Sequence, residues 1–239
     1  MPTLRPEIQF VTSSSWVDYE LLDSGRGQKL ERFGPYTFIR PEVQALWRPA
    51  ATPDRWEAAD AVFQPTGEES GGHWMQRKKI PEDWEMQYNN LRFSVMTTHG
   101  RHMGVFPECG AQWDWMGKLI KNRKIKTAEE PQILNLFGYT GLASLACASA
   151  GGKVTHVDAS KKSVAWAKRN QGLSGLVDRP IRWIVDDAQK FVEREARAAG
   201  YLERRECLSD QVVGQRSVLL QQQGGRREHS VRLPVLRAL

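Results

Sequence analysis

Cysteine is scarce in this chain. Three occur in 239 residues, Cys109, Cys147 and Cys207, and none stands in a Cys-x-x-Cys or Cys/His ligand spacing. A disulfide scaffold and a zinc module are excluded on that count, and a reducing cytoplasm is the expected compartment. No stretch of about 18 apolar residues exists, so a spanning helix and a membrane partner are not expected. The start, MPTLRPEIQF, lacks the basic-then-apolar layout of a signal peptide. A large excess of one charge is missing too. The net charge is +6, and half of it falls in residues 200–239, which hold seven Arg, four acids and no Lys. That balance is compatible with a nucleic-acid partner without requiring one. What is present suffices for a core: 40% hydrophobic against 26% charged residues, in a length that suits one large domain or one and a half.

Three zones and a tail follow along the chain. Residues 1–85 are rich in turns and tryptophan (Trp16, Trp47, Trp56, Trp74, Trp84). Short apolar runs closed by proline, TFIRP (37–41) and AVFQP (61–65), read as strand then turn, and PTGEESGGHW (65–74) reads as a polar loop. With no helical period in this zone, the expectation is a small β-rich subdomain. Residues 86–130 form a bridge. In it LRFSVMTTH (91–99) reads as a strand and RHMGVFPE (101–108) as its hairpin partner. A helix over 112–124 follows, with Trp113, Met116, Leu119 and Ile120 on one apolar face. Its basic C-terminal end suits the helix dipole, although a phosphate-tracking patch is the sharper reading.

Residues 131–199 carry the clearest pattern. Strand QILNLF (132–137), turn GYTG (138–141), helix LASLACASA (142–150), strand KVTHVD (153–158), a helix capped by Ser160, strand IRWIVDD (181–187) and a helix over 188–199 follow in order. Such alternation predicts an α/β fold with a parallel, doubly wound, Rossmann-like sheet. Ligands bind beyond the carboxyl ends of the strands in these sheets. The turn Gly138–Gly141 lies there, as does Asp158, twenty residues after Gly138 and placed to accept from ribose hydroxyls. The Asp186-Asp187-Ala188 corner could meet an adenine amino group. Together they describe an adenosine site with a small anion at the turn. The string Gly138-Tyr139-Thr140-Gly141-Leu142-Ala143 fails the G-x-G-x-x-G pattern at its second and third glycines, which disfavours a dinucleotide. S-adenosylmethionine, with a small carboxylate and no phosphate, fits better, and its sulfonium suits Asp158 and the rings of Tyr139 and Phe106. A tight structural connection at the turn and a helix-capping role for Asp158 are the plainer alternatives.

The segment NLFGYTGLASLACASAGGKVTHVDASKKSVAWAKRNQ (135–171), with DDAQKF (186–191), resembles class I S-adenosylmethionine-dependent methyltransferases. It is most similar to the bacterial group around the large-subunit ribosomal RNA 5-methylcytosine methyltransferases. The resemblance covers about residues 16–199. It implies that Gly138, Tyr139 and Gly141 cradle the methionine part, that Asp158 binds ribose and that Asp187 or Asp186 binds adenine. It also implies that Phe106 and Glu108 line the same pocket and that RNA is the substrate. No catalytic residue and no metal follow from it, and Cys109 receives no role. The family's Asp-Pro-Pro loop after a fourth strand has no counterpart string here. Residues 200–239 are therefore expected to be an atypical, frame-shifted or truncated tail that leaves the sheet incomplete, the QILNLF edge open and the acceptor-binding half missing. The other function class this leaves is a catalytically silent remnant that binds cofactor or RNA.

Overall fold

The computed structural model describes residues 10, 12–13, 16–67, 71–127, 130–198, 216–218 and 235–237. Apart from two three-residue strands, the tail read from the sequence lies outside them, as does Cys207.

The first part is a five-stranded sheet in sequential order: β1 (Tyr19–Gly25), β2 (Gln28–Phe33), β3 (Tyr36–Pro41), β4 (Ala61–Pro65) and β5 (Gly72–Gln76). Only β3 and β4 run parallel, joined by a crossover that contains the short helix α1 (Pro53–Glu57). Alternation along the strands sorts the side chains between two faces. Leu30 and Ile39 join Ala59 and Trp56 in a small core beside α1. Phe33, Phe38 and Ala61 face the main core.

The strand at 91–96 pairs differently from the sequence expectation. Its partner is the preceding segment, β6 (Asp83–Tyr88), and not residues 101–108. The two-residue turn Asn89-Asn90 makes this possible, because asparagine tolerates the left-handed conformation that Asn89 adopts at φ 51°. Trp84, Met86 and Tyr88 then point inward on β6, opposite Phe93 and Val95 on β7 (Leu91–Met96). Residue 85, where the sequence changes character, lies inside β6. Residues 101–106 run without regular structure into a 3-10 turn at Pro107–Cys109 and then α2 (Gly110–Thr127). Helix α2 buries Trp113, Met116 and Ile120, whereas Leu119 is 45% exposed.

The third part is a parallel sheet in the order β10-β9-β8, formed by β8 (Gln132–Leu136), β9 (Lys153–Asp158) and β10 (Ile181–Val185). Strand β9 has the predicted bounds, whereas β8 stops one residue short of its predicted end and β10 two, and Phe137 already has φ 55°. Ile133, Val154, Ile181 and Trp183 face the main core, with α3 (Leu142–Ser149) and α4 (Lys161–Leu173) between the strands in sequence. Leu134, Leu136, Val157 and Ile184 face the opposite side and pack on Ala188, Phe191 and Val192 of α5 (Ala188–Ala198). Helices α3 and α4 thus carry the chain outward from β8 to β10. Helix α5 packs on the other face. Strand β11 (Arg216–Val218), paired antiparallel with β12 (Val235–Arg237), lies alongside β8.

One core runs through all three parts. Phe33 and Phe38 from the first sheet, Phe93 and Val95 from the hairpin, Met116 and Ile120 from α2, and Ile133, Leu145 and Val154 from the parallel sheet belong to it.

Candidate functional site

The β8–α3 turn is built by its neighbours. Gly138 lies under the imidazole of His156, where a Cβ would come within 2.3 Å of the ring; the site requires glycine for space. Gly141, at φ 84°, packs its α-carbon face on Ala167 and forms the N-cap of α3. Between them Tyr139 holds φ 49°, an unfavourable conformation for a residue with a Cβ. The compensating bond comes from Asp158. Its Oδ2 accepts from the Tyr139 N–H at 2.8 Å, and its Oδ1 accepts from the Ser160 N–H at 2.8 Å. Asp158 is therefore a clamp between the turn and the start of α4. Ser160 itself caps that helix by accepting from the Ser163 N–H.

A second set of bonds ties the turn to Gly104 and to β7. Thr140 Oγ1 donates to the Gly104 carbonyl at 2.5 Å, and Asn170 Nδ2 donates to the Thr140 carbonyl at 3.0 Å. Asn170 Oδ1 accepts from the Ser94 N–H on β7 at 2.9 Å. Below the turn, Asn135 Nδ2 donates to Ser144 Oγ at 2.8 Å, which meets His156 Nδ1 at 3.0 Å. Burial pushes His156 down to about 4, partly offset by the charge of Asp158, so its ring is neutral.

A solvent-open cleft lies between residues 104–109, the first turn of α2 and the segment 135–143. Phe106, Gly138 and Tyr139 line it, with the rings of Phe106 and Tyr139 5.6 Å apart. Leu142 and Ala143 line it as well. They open α3, a helix that no side chain caps, so the orphan N–H groups of its first turn are at hand for a bound anion.

The remaining residues singled out in the sequence sit elsewhere. Asp158 supports the cleft through Tyr139. Glu108 is across Phe106, in a neighbouring pocket with Lys29, Arg40, Glu42, Arg101 and His102. Asp187 Oδ1 accepts from the Lys190 N–H and caps α5. Asp186 pairs with Arg194 at 2.8 Å, an interaction that holds its carboxyl below the usual range. Cys109, Gln112, Trp113 and Asn135 line the cleft without having been assigned to it in the sequence. Asn135 opens the NLFGYTG segment and could have been found there; for Cys109, Gln112 and Trp113 the signal lies in three-dimensional convergence. The Cys109 thiol is pushed up to about 11 by burial and by Glu108, so it is protonated at neutral pH. Among the described residues no group of three or more His, Cys, Asp or Glu could hold a metal ion.

A parallel sheet with α5 on the face opposite its main-core side, and a glycine turn clamped by a strand-end aspartate, defines the class: the fold is the Rossmann-like fold of class I S-adenosylmethionine-dependent methyltransferases. No family model matches the chain, but individual relatives do. A structure described as the S-adenosylmethionine-dependent methyltransferase from Agrobacterium tumefaciens is 46% identical, with a TM-score of 0.71, and the match covers 78% of this chain and 58% of that one. Among curated proteins, the ribosomal RNA large subunit methyltransferase K/L of Shewanella amazonensis is 40% identical over 108 residues, and that of Shewanella baltica strain OS155 is 42% identical over 62 residues. Those matches cover 41% and 26% of this chain and 14% and 9% of the relatives, so the chain spans a small part of the curated proteins it resembles. A Streptococcus mutans chain, 17% identical with a TM-score of 0.57 over 77% of this chain and 49% of its own, shares the fold. The resemblance to S-adenosylmethionine-dependent methyltransferases, read from residues 135–171, holds in both comparisons, and the curated relatives are the ones that name the ribosomal RNA large subunit.

Proposed function

We propose that the cleft binds S-adenosylmethionine and that the chain serves methyl transfer to RNA in the cytoplasm. The observation that carries this reading is the uncapped first turn of α3 opening into a cleft beside the Asp158-clamped glycine turn. A small carboxylate fits the N–H groups of Leu142 and Ala143. A Cβ at Gly138 would collide with His156, so the backbone there stays bare and reachable. The aromatic faces of Phe106 and Tyr139 suit a sulfonium. Asp158 uses one lone pair on each oxygen for the clamp and keeps the others for ribose hydroxyls. Asp187 offers its second oxygen to an adenine amino group, and Asp186, held by Arg194, orients that corner. Glu108 can take part only past Phe106. Bound there, the cofactor supplies an electrophilic methyl carbon. The residues of this chain orient it and exclude water, which is how positioned reactants lower a barrier.

Calorimetry with S-adenosylhomocysteine and with NAD tests the first half: heat with the former and none with the latter is expected, and equal affinity would refute the assignment. Tritiated-methyl transfer to total RNA tests the second. Label on RNA supports turnover. Cofactor binding without label supports the alternative, in which the chain is a cofactor- or RNA-binding module that lacks an acceptor site.

A further inference from the structure

The loop between β3 and α1 holds three apolar side chains in solvent. Val43, Leu46 and Trp47 are 73%, 85% and 57% exposed. The loop is nonetheless rigidly built. The Arg26 N–H donates to the Trp47 carbonyl at 2.9 Å, the Gly27 N–H to the Ala45 carbonyl at 2.8 Å, and the Glu42 N–H to the Gly27 carbonyl at 2.7 Å. Ala45 is fully buried beneath it. Gly25, in the β1–β2 turn, is so close that a Cβ would lie 2.5 Å from the Pro49 nitrogen. The indole N–H of Trp47 donates to the Ser24 carbonyl at 2.9 Å and meets Ser24 Oγ at 3.2 Å. The ring is thus fixed at its polar edge in a residue that stays 57% exposed.

Two guanidinium groups belong to this loop and the turn it is bonded to. Arg26 and Arg48 are exposed, and neither has an ion-pair partner among the described residues. Two carboxylates border the loop. Asp23 accepts from the N–H groups of Ser24, Ala50 and Ala51 and from the Trp56 indole, and Glu42 pairs with Lys29 at 3.7 Å. The loop starts at the pocket that contains Lys29, Glu42, Arg101 and His102 and that ends on Phe106, the wall shared with the cleft.

We propose that this loop is a stacking platform for single-stranded nucleic acid, with one base on Trp47 and the flanking phosphates on Arg26 and Arg48. A fixed, exposed aromatic face beside unpaired guanidinium groups is the combination that binds such strands without reading sequence. The inference extends the RNA reading to how the strand is gripped, but it concerns binding alone and needs neither cofactor nor turnover.

The test is fluorescence anisotropy with a short labelled single-stranded RNA of mixed sequence. Trp47→Ala should weaken binding about 5-fold or more, the lower end for loss of one stacked base, while Trp47→Phe keeps most of the affinity. Arg26→Ala/Arg48→Ala should weaken it too and flatten the plot of log affinity against log salt by about 1.4, two phosphates at roughly 0.7 each. Melting temperature and S-adenosylhomocysteine titration, unchanged in all variants, show that the fold and the cleft are intact. Absence of RNA binding by the parent chain overturns the proposal, as does a Trp47→Ala affinity within about twofold of the parent's. Equal competition by duplex RNA overturns it as well. So does loss of self-association, with RNA binding unchanged, in the Trp47→Ala variant, an outcome that would make the loop a protein-docking face.

Discussion

Replacing Asp158 by alanine separates the two tasks assigned to this side chain. The substitution removes the acceptor from two N–H groups. The one on Ser160 is exposed and turns to water. The one on Tyr139 is half-buried, and losing a charged acceptor there costs about 1.5–3 kcal/mol. With roughly 2–4 °C of melting temperature per kcal/mol in a chain of this size, the midpoint should drop by about 3–12 °C. Affinity for S-adenosylhomocysteine should fall as well, by about 10- to 150-fold if the ribose bonds are of the same strength. A second substitution tells clamp from ligand. Tyr139→Gly removes the penalty of a left-handed residue with a Cβ, about 1 kcal/mol. In the Asp158→Ala background it should restore a few degrees of melting temperature while leaving affinity low. Scanning calorimetry and titration calorimetry read the two quantities independently. If Asp158→Ala melts with the parent, the clamp is energetically idle and the reasoning fails. If Tyr139→Gly restores affinity along with stability, Asp158 acts only through the turn and does not touch ribose.

Gly138→Ala should destabilise by about 1–3 kcal/mol, the usual effect of overpacking, because its Cβ would press on His156; His156→Ala should relieve much of this, measured as a double-mutant cycle in urea. His156 and His102 are both pushed down to about 4, chiefly by burial. The unfolded chain binds their protons near pH 6.5 and the folded chain does not, so stability is full above that value. It falls as the pH drops from about 6.5 toward 4, by at most about 1.4 kcal/mol per pH unit for each ring. His156→Gln should flatten the slope in urea melts, and an unchanged slope would refute its assignment. Glu31, fully buried, holds Arg40 through two bonds of 2.7 and 2.8 Å. Glu31→Ala should cost about 3–5 kcal/mol by stranding the guanidinium, whereas Glu31→Leu with Arg40→Met should recover most of it in the same melts.

The parallel half was legible because its signals are local. Ser160 announces a helix start, Gly151-Gly152 an end, and runs such as KVTHVD are strands on either face of a sheet. The hairpin was misassigned because residues 101–108 have the composition of a strand, and only the geometry of Asn89-Asn90 decides for β6. Leu119 fits a helical period yet is 45% exposed, since among the described residues none covers it. At the site, position was readable and bonding was not. The sequence shows an acid at the end of β9, but whether its oxygens meet a ribose or the Tyr139 N–H depends on how the turn folds back over it. Glu31 and Arg40 illustrate the same limit. Each reads as an ordinary strand charge, and their burial follows only from the register of β2 on β3.

The continuity of the core has a thermodynamic consequence. Ser94 on β7 is bound to Asn170 of α4, which in turn holds Thr140 of the turn, and Trp166 donates to the Ser94 carbonyl and lies over Gly104. Elements so joined unfold together, as one cooperative unit. A ligand that occupies the cleft then stabilises the distant β1–β5 sheet by the same free energy as the turn it touches, about 2.7 kcal/mol at a hundredfold excess over its dissociation constant. Amide exchange in β2 and β3, whose residues never meet the ligand, therefore becomes a gauge of occupancy.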